Sequence, residues 1–233
     1  MSSPRAIHEK DKLLKRELIL DAAQQLWLDN GGAVSRMDEL AEKSGVAKGT
    51  LYLYFRSKDE VLLALHERDL MQFLDRLLER TEQLPAITIE DMADVFIRFI
   101  ESSPTFLPLS SYCHALLEHQ IPAEQALAFK TRVSRQIDQT VQIINPCLPV
   151  IDHLALLQAY GMALGLWQLL QPSPLQEMQR EHGLFLYQQP EFTELGFTAI
   201  LRQSLLTLFH NQRHHRPTSD KYAPTHPDTK DIS

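Results

Sequence analysis

Apolar side chains return every three or four residues through most of this 233-residue chain. That spacing matches the turn of an α-helix, and a helix that carries it has one face to bury against others. Leu13, Leu14, Leu18, Ile19, Ala22, Ala23, Leu26 and Trp27 set the pattern and predict a first helix over about Leu13–Asp29. Asn30-Gly31-Gly32 closes it, because asparagine and glycine accept the left-handed backbone of a helix C-cap. The same reading gives short helices over Met37–Ser44 and Ala47–Phe55, then a long one from Lys58 to about Gln83. Further amphipathic stretches follow at about Thr88–Ser102, Ser111–Glu118, Pro122–Ile144, Ile151–Gln171 and Thr193–Gln212. No segment alternates with a period of two between turn residues, so the chain reads as all-α.

Cap and breaker residues agree with these limits. Ser35 is placed to cap the second helix, and Ser57 the long fourth one, whose first turn holds Asp59 and Glu60. Pro85 marks the end of that helix, and the prolines at Ser103–Pro108, Asn145–Pro149, Pro172–Pro174 and Pro190 separate the later ones. The expected organisation is a flexible basic arm over residues 1–12, a small helical unit over 13–57, a larger helical body over 58–213 and a disordered tail over 214–233.

Composition narrows the function. Hydrophobic residues are 44% and charged residues 23% of the chain, which suits a buried core under a soluble surface. No apolar run is long enough for a membrane span, and Met1–Lys15 has no signal-peptide core, so a cytoplasmic protein without membrane contact is expected. Cys113 and Cys147 are far apart and lack metal spacing, which favours reduced thiols. The net charge of −7 is unevenly spread. The first 60 residues hold ten Lys and Arg against ten Asp and Glu, so the whole acidic excess lies behind them. A neutral head on an acidic body remains compatible with nucleic acid, since only the face that meets phosphate must be basic.

Met37–Phe55 is the informative stretch. Two short helices meet there across a tight turn in which Gly45 permits a backbone that a β-carbon would resist. Leu40, Ala41, Val46 and Leu51 form the wedge that sets the angle between them. The small residues Ala47 and Gly49 let the second helix approach a nucleic-acid surface, where Lys48, Thr50, Tyr52 and Tyr54 reach base edges or phosphates.

In these residues the chain resembles the TetR family of bacterial transcriptional regulators. The matching elements are Ile19-Leu-Asp-Ala-Ala23 with Trp27 and Gly31, then Leu40-Ala41, Ser44-Gly-Val-Ala-Lys-Gly-Thr-Leu-Tyr52, Tyr54-Phe55 and Ser57-Lys-Asp-Glu60, all with intact spacing. The resemblance implies a three-helix helix-turn-helix domain, joined by a long helix to a helical ligand-binding and dimerisation domain. It makes Lys48, Thr50, Tyr52 and Tyr54 the recognition-helix residues and Lys58 a phosphate contact, with Ser35 and Arg36 as further phosphate contacts. Two departures stand out. Gly32-Ala33 replaces the bulky residue usual after helix 1, which predicts a less filled corner, and Arg36 occupies the usual cap position of helix 2.

By the same resemblance the last two long helices, Ile151–Gln171 and Thr193–Gln212, pair into a homodimer, and the partner is double-stranded DNA with a palindromic operator. A mostly apolar small-molecule effector is expected in the body. Mixed aromatic and polar residues there, Phe96, Phe99, Tyr112, His114, Phe129, Tyr160, Trp167 and Gln168, are candidates for its site. An enzyme reading finds no His-Glu-x-x-His, nucleophile elbow, phosphate loop or dinucleotide fingerprint, so neither catalysis, metal nor cofactor is expected. The expected mechanism is repression by operator occupancy, relieved when a ligand favours a state with helix 4 displaced.

Overall fold

The computed structural model describes residues 4–34, 36–83, 86–170, 178 and 190–212. Its helices are α1 (Pro4–Asp29), α2 (Met37–Ser44), α3 (Lys48–Tyr54), α4 (Lys58–Gln83), α5 (Ile89–Ser102), α6 (Phe106–His119), α7 (Ala123–Ile144), α8 (His153–Leu170) and α9 (Pro190–Gln212), with no strand among the described residues. The all-α expectation holds.

Most boundaries fall where caps and apolar spacing put them. Thr88 accepts the Asp91 N–H at 3.1 Å while the Asp91 carboxylate accepts the Thr88 N–H at 3.1 Å, a reciprocal cap that starts α5. Ser57 accepts the Glu60 N–H at 3.2 Å at the start of α4. Three differences from the sequence reading exceed a shift of a few residues at a helix end. α1 begins at Pro4, so most of the segment expected to be a flexible arm is helical. α6 begins at Phe106, not Ser111, because Pro108 sits in its first turn, where a missing N–H breaks no helical bond. α9 carries a break at Gly196, whose φ of 71° lies in the left-handed region. Pro85, the tail over 214–233 and the Pro172–Pro174 connection lie outside the described residues.

α4 is the central strut, in contact with α1, α5, α6 and α7. Its C-terminal half packs Phe73, Leu74 and Leu77 into a core with Met92 and Phe96 of α5, Phe106 of α6, Ala159 of α8 and Phe209 of α9. Aromatic edges interlock there, with Phe73–Phe96 centroids 4.6 Å apart and Phe99–Phe106 5.1 Å apart. Its N-terminal half packs Val61, Leu62 and Leu65 into a second core with Ile19, Ala23 and Trp27 of α1, Leu40 of α2 and Leu51 of α3. That second core also takes in Leu109, Cys113 and Leu116 of α6. The corner after helix 1 is filled as well: Val34 is buried, and Gly32 at φ 100° lies close to the Trp27 ring.

Candidate nucleic-acid interface and buried cavity

The helix-turn-helix is built from its turn outward. Gly45 adopts φ 69°, and its N–H reaches the Ala41 and Glu42 carbonyls, which ends α2 and redirects the chain within a few residues. Leu40, Ala41 and Leu51 are buried, Val46 is half-buried, and Phe55 closes the end of α3. Over the Phe55 ring, 5.7 Å from its centroid, stands the Arg16 guanidinium of α1. Arg36 occupies the cap of α2 in extended backbone without a side-chain cap bond, and Ser35 lies outside the described residues.

The outer face of α3 carries the residues expected to read DNA. Tyr52 is 43% exposed, Thr50 and Tyr54 are half-buried, and Ala47 and Gly49 are exposed. Lys48 is exposed but engaged, its Nζ 2.6 Å from Asp38 Oδ1 of α2, and that carboxylate raises the ammonium pKa. Arg36, Arg56 and Lys58 are exposed, and no carboxylate pairs with their side chains among the described residues. Sequence reasoning missed Leu53. At 85% exposure it is the most exposed large apolar side chain of the described chain, standing between Tyr52 and Tyr54. An apolar group so placed has no packing role, and it suits contact with a thymine methyl in a major groove.

Behind this head lies a cavity of about 390 Å³. Its walls come from α4 through His66, Leu70, Phe73 and Leu74, and from α6 through Ser110, Cys113 and His114. Phe129, Lys130, Val133 and Ile137 of α7 and His153, Leu156, Leu157 and Tyr160 of α8 complete it. Of the eight residues expected from sequence, His114, Phe129 and Tyr160 line it. Phe96 and Phe99 do not, because their rings are consumed by the aromatic core around Phe73. Tyr112 turns the other way, onto Trp27 at 5.9 Å. Trp167 packs against the core, and exposed Gln168 donates to Ser111 at 2.8 Å. A helix face decided each outcome, and composition alone could not.

The residue most informative about the cavity is one that apolar spacing hides, because His66 sits in the buried stripe of α4. It is 4% exposed, its Nδ1 has no hydrogen-bond partner among the described residues, and burial, with neighbouring His114, lowers its pKa to about 3. The imidazole is therefore neutral. Three residues on, Asp69 is 2% exposed, and burial raises its carboxyl to about 6.

A chain of bonds runs from Asp69 to the head. Thr105 donates to Asp69 Oδ2 at 2.8 Å, Gln24 of α1 donates to Thr105 at 3.3 Å, and Arg68 donates to the Gln24 side-chain oxygen at 3.0 Å. Arg68 also donates to Asp21 at 2.6 Å. No group of three or more His, Cys, Asp and Glu placed to hold a metal occurs among the described residues, and no described helix is long and apolar enough to cross a membrane.

A helix-turn-helix with an exposed second helix, braced by a long helix that walls a cavity, is the frame of a one-component DNA-binding regulator. Comparison with known proteins agrees. Residues 19–65 match the bacterial regulatory proteins of the tetR family, and residues 67–210 match the tetracyclin repressor-like C-terminal domain. The chain belongs to the TetR family of DNA-binding transcriptional regulators. A fatty acid metabolism regulator protein of Bacillus subtilis is 39% identical over 70 residues, 30% of this chain and only 36% of that protein. The transcriptional activator FasR of Mycolicibacterium smegmatis is 26% identical over 64% of this chain and 67% of its own length. A structure from Mesorhizobium loti, described as a TetR-family transcriptional regulator, covers 87% of this chain and 96% of that one at 20% identity and TM-score 0.52. That last likeness bears on fold alone.

Proposed function

We propose that the protein is a cytoplasmic, non-enzymatic homodimer that occupies a palindromic operator and represses transcription until a small molecule enters the cavity. In this reading residues 13–57 form the reading head and 58–213 the body. Arg36, Lys48, Thr50, Tyr52, Leu53, Tyr54 and Lys58 meet DNA, with Ala47 and Gly49 permitting close approach and Ser35 at the same edge.

The observation that carries the reading is a two-residue interval on α4. His66 faces the cavity, and Arg68 is bonded to α1 of the head. A ligand that displaces this stretch of α4 displaces α1 with it and alters the spacing of two heads across a dimer. Coupling of about 1–3 kcal/mol, roughly 5- to 150-fold in DNA affinity, is the ordinary scale of such linkage. The dimer is supported by the outward face of α8. There Leu154, Leu157, Gly161 and Leu169 are exposed at helical spacing, an apolar strip with a small residue where two helices can approach.

Mobility shifts on the gene's own upstream region test the reading, together with light scattering of the complex. A symmetric footprint bound by two copies supports it, and a one-copy complex on an asymmetric site overturns it. The FasR relative, named as an activator, favours a second reading in which the bound dimer activates. A reporter driven from the same operator separates the two by the sign of its response.

A further inference from the structure

The cavity is graded. Ser110, Cys113, Phe129 and His66 are its buried lining, whereas His114 of α6, Lys130 of α7 and His153 of α8 are exposed, so the cavity opens where these three helices meet solvent. Among the buried polar groups, Ser110 donates to the Phe106 carbonyl at 2.7 Å and Tyr160 bonds to Ser110. They are satisfied. His66 is not: its Nδ1 has no partner among the described residues, and a buried nitrogen left so favours any ligand group that can bond to it.

The opening has the reverse character. Lys130 belongs both to the cavity and to an adjoining open pocket on α7 that holds Thr131, Ser134, Arg135 and Asp138. The pocket's carboxylate is engaged, Asp138 lying 2.8 Å from His153. Neither Lys130 nor Arg135 has a carboxylate partner among the described residues, so two cations border the mouth of an apolar hole.

These two ends define complementary ends of a ligand. A carboxylate bonded to His66 would be buried beside a neutral imidazole, with no lysine or arginine but Lys130 in the cavity lining, at a high desolvation cost. At the Lys130 end it would be partly solvated and paired. The inner end calls for a neutral hydrogen-bonding group. At roughly 30 Å³ per water-sized group, 390 Å³ holds about a dozen non-hydrogen atoms between them. We propose that the cavity binds an oxygenated amphipathic acid: an apolar body of about a dozen atoms, a hydroxyl or carbonyl at its inner end bonded to His66, and a carboxylate at Lys130 and Arg135. This deepens the effector reading above and rests on it only for the consequence to DNA binding.

The test is calorimetric titration of the full-length protein with 12-hydroxydodecanoate, dodecanoate and dodecane-1,12-diol. The hydroxy acid should bind about tenfold or more tighter than either of the others, which lack one end group each. Lys130→Ala should weaken both acids by a similar factor and leave the diol unchanged. His66→Leu should abolish the preference for the hydroxy acid over dodecanoate, and His66→Gln, which keeps a hydrogen-bonding group, should retain part of it; circular dichroism melts confirm that each variant is folded. A lauroyl-coenzyme A arm distinguishes a free acid from a thioester whose phosphates supply the anion, and tighter binding of the thioester would overturn the carboxylate assignment. Equal affinity for diol and hydroxy acid, or an unchanged preference in His66→Leu, would overturn the proposal. If the hydroxy acid binds as expected but mobility shifts are unchanged, the ligand assignment stands and the inducer reading fails. If no probe binds while DNA binding persists, the ligand assignment fails and the DNA-binding reading stands.

Discussion

Arg68 of α4 and Asp21 of α1 are 2.6 Å apart, and the same guanidinium holds Gln24, so the first helix of the reading head is tied to the strut behind it by charge-assisted bonds. The Arg68 side chain is only 12% exposed although Asp21 is largely in water. Replacing Arg68 by Met keeps the stem and removes the bonds. Stability should fall by about 1.5–3 kcal/mol, read as a lower urea midpoint with an unchanged slope, and an unchanged midpoint would show that the tie contributes nothing.

On the proposed DNA face, Asp38 holds Lys48, and phosphate would have to displace that carboxylate. Asp38→Asn removes one negative charge from that face and releases the ammonium. DNA affinity should rise, and the plot of log affinity against log salt should steepen by about one ion. Lys58→Ala should do the opposite, weakening all sequences alike. Fluorescence anisotropy at several salt concentrations reads both slopes.

Two buried titrating groups, three residues apart, oppose each other in acid. The His66 pKa is lowered from 6.5 to about 3, so its contribution to stability is present above about 6.5 and lost as pH falls towards 3. The Asp69 pKa is raised from 3.8 to about 6, so its contribution is present below about 3.8 and lost as pH rises through 6. Between pH 6 and 4 the two slopes largely cancel. Asp69→Asn keeps an acceptor for Thr105 and removes the compensation, so from pH 6 to 4 the variant should lose stability relative to the parent by up to about 1.4 kcal/mol per pH unit. Parallel urea curves at the two pH values isolate this difference, because the other carboxylates titrate alike in both proteins.

The cysteines offer a direct report on the cavity wall. Burial pushes the Cys113 thiol up to about 12 while Cys147 is exposed. Iodoacetamide at neutral pH should modify Cys147 and spare Cys113 until urea unfolds the chain, since the thiolate is the nucleophile. Peptide mass spectrometry gives both extents at once. Equal labelling in the folded protein would mean that α4 and α6 separate readily.

Much of the fold was legible because apolar spacing and caps carry it. Met37–Ser44 was read to the residue, and Lys58 was placed correctly at the start of α4 because Ser57 is a local cap. The start of α6 was not, since Pro108 reads as a breaker unless the helix is known to begin two residues before it. The cavity was legible only in part. Phe129 and Tyr160 belong to it, while Phe96 and Phe99, equally aromatic, fill a core, a choice made by how α5 rotates against α4. His66 went unread because a histidine in an apolar stripe looks like one more interior residue until its unpaired nitrogen is seen.

The hydrophobic interior of the head does not stop at the end of α3. It continues through Val61 and Leu65 into Leu109, Cys113 and Leu116 of α6. A transplanted specificity, made by grafting residues 13–57 onto another regulator's body, would therefore cut through a shared interior and strand half of its contacts. A workable graft has to exchange the α6 surface as well, or change only the outward side chains of α3 and leave the seam untouched.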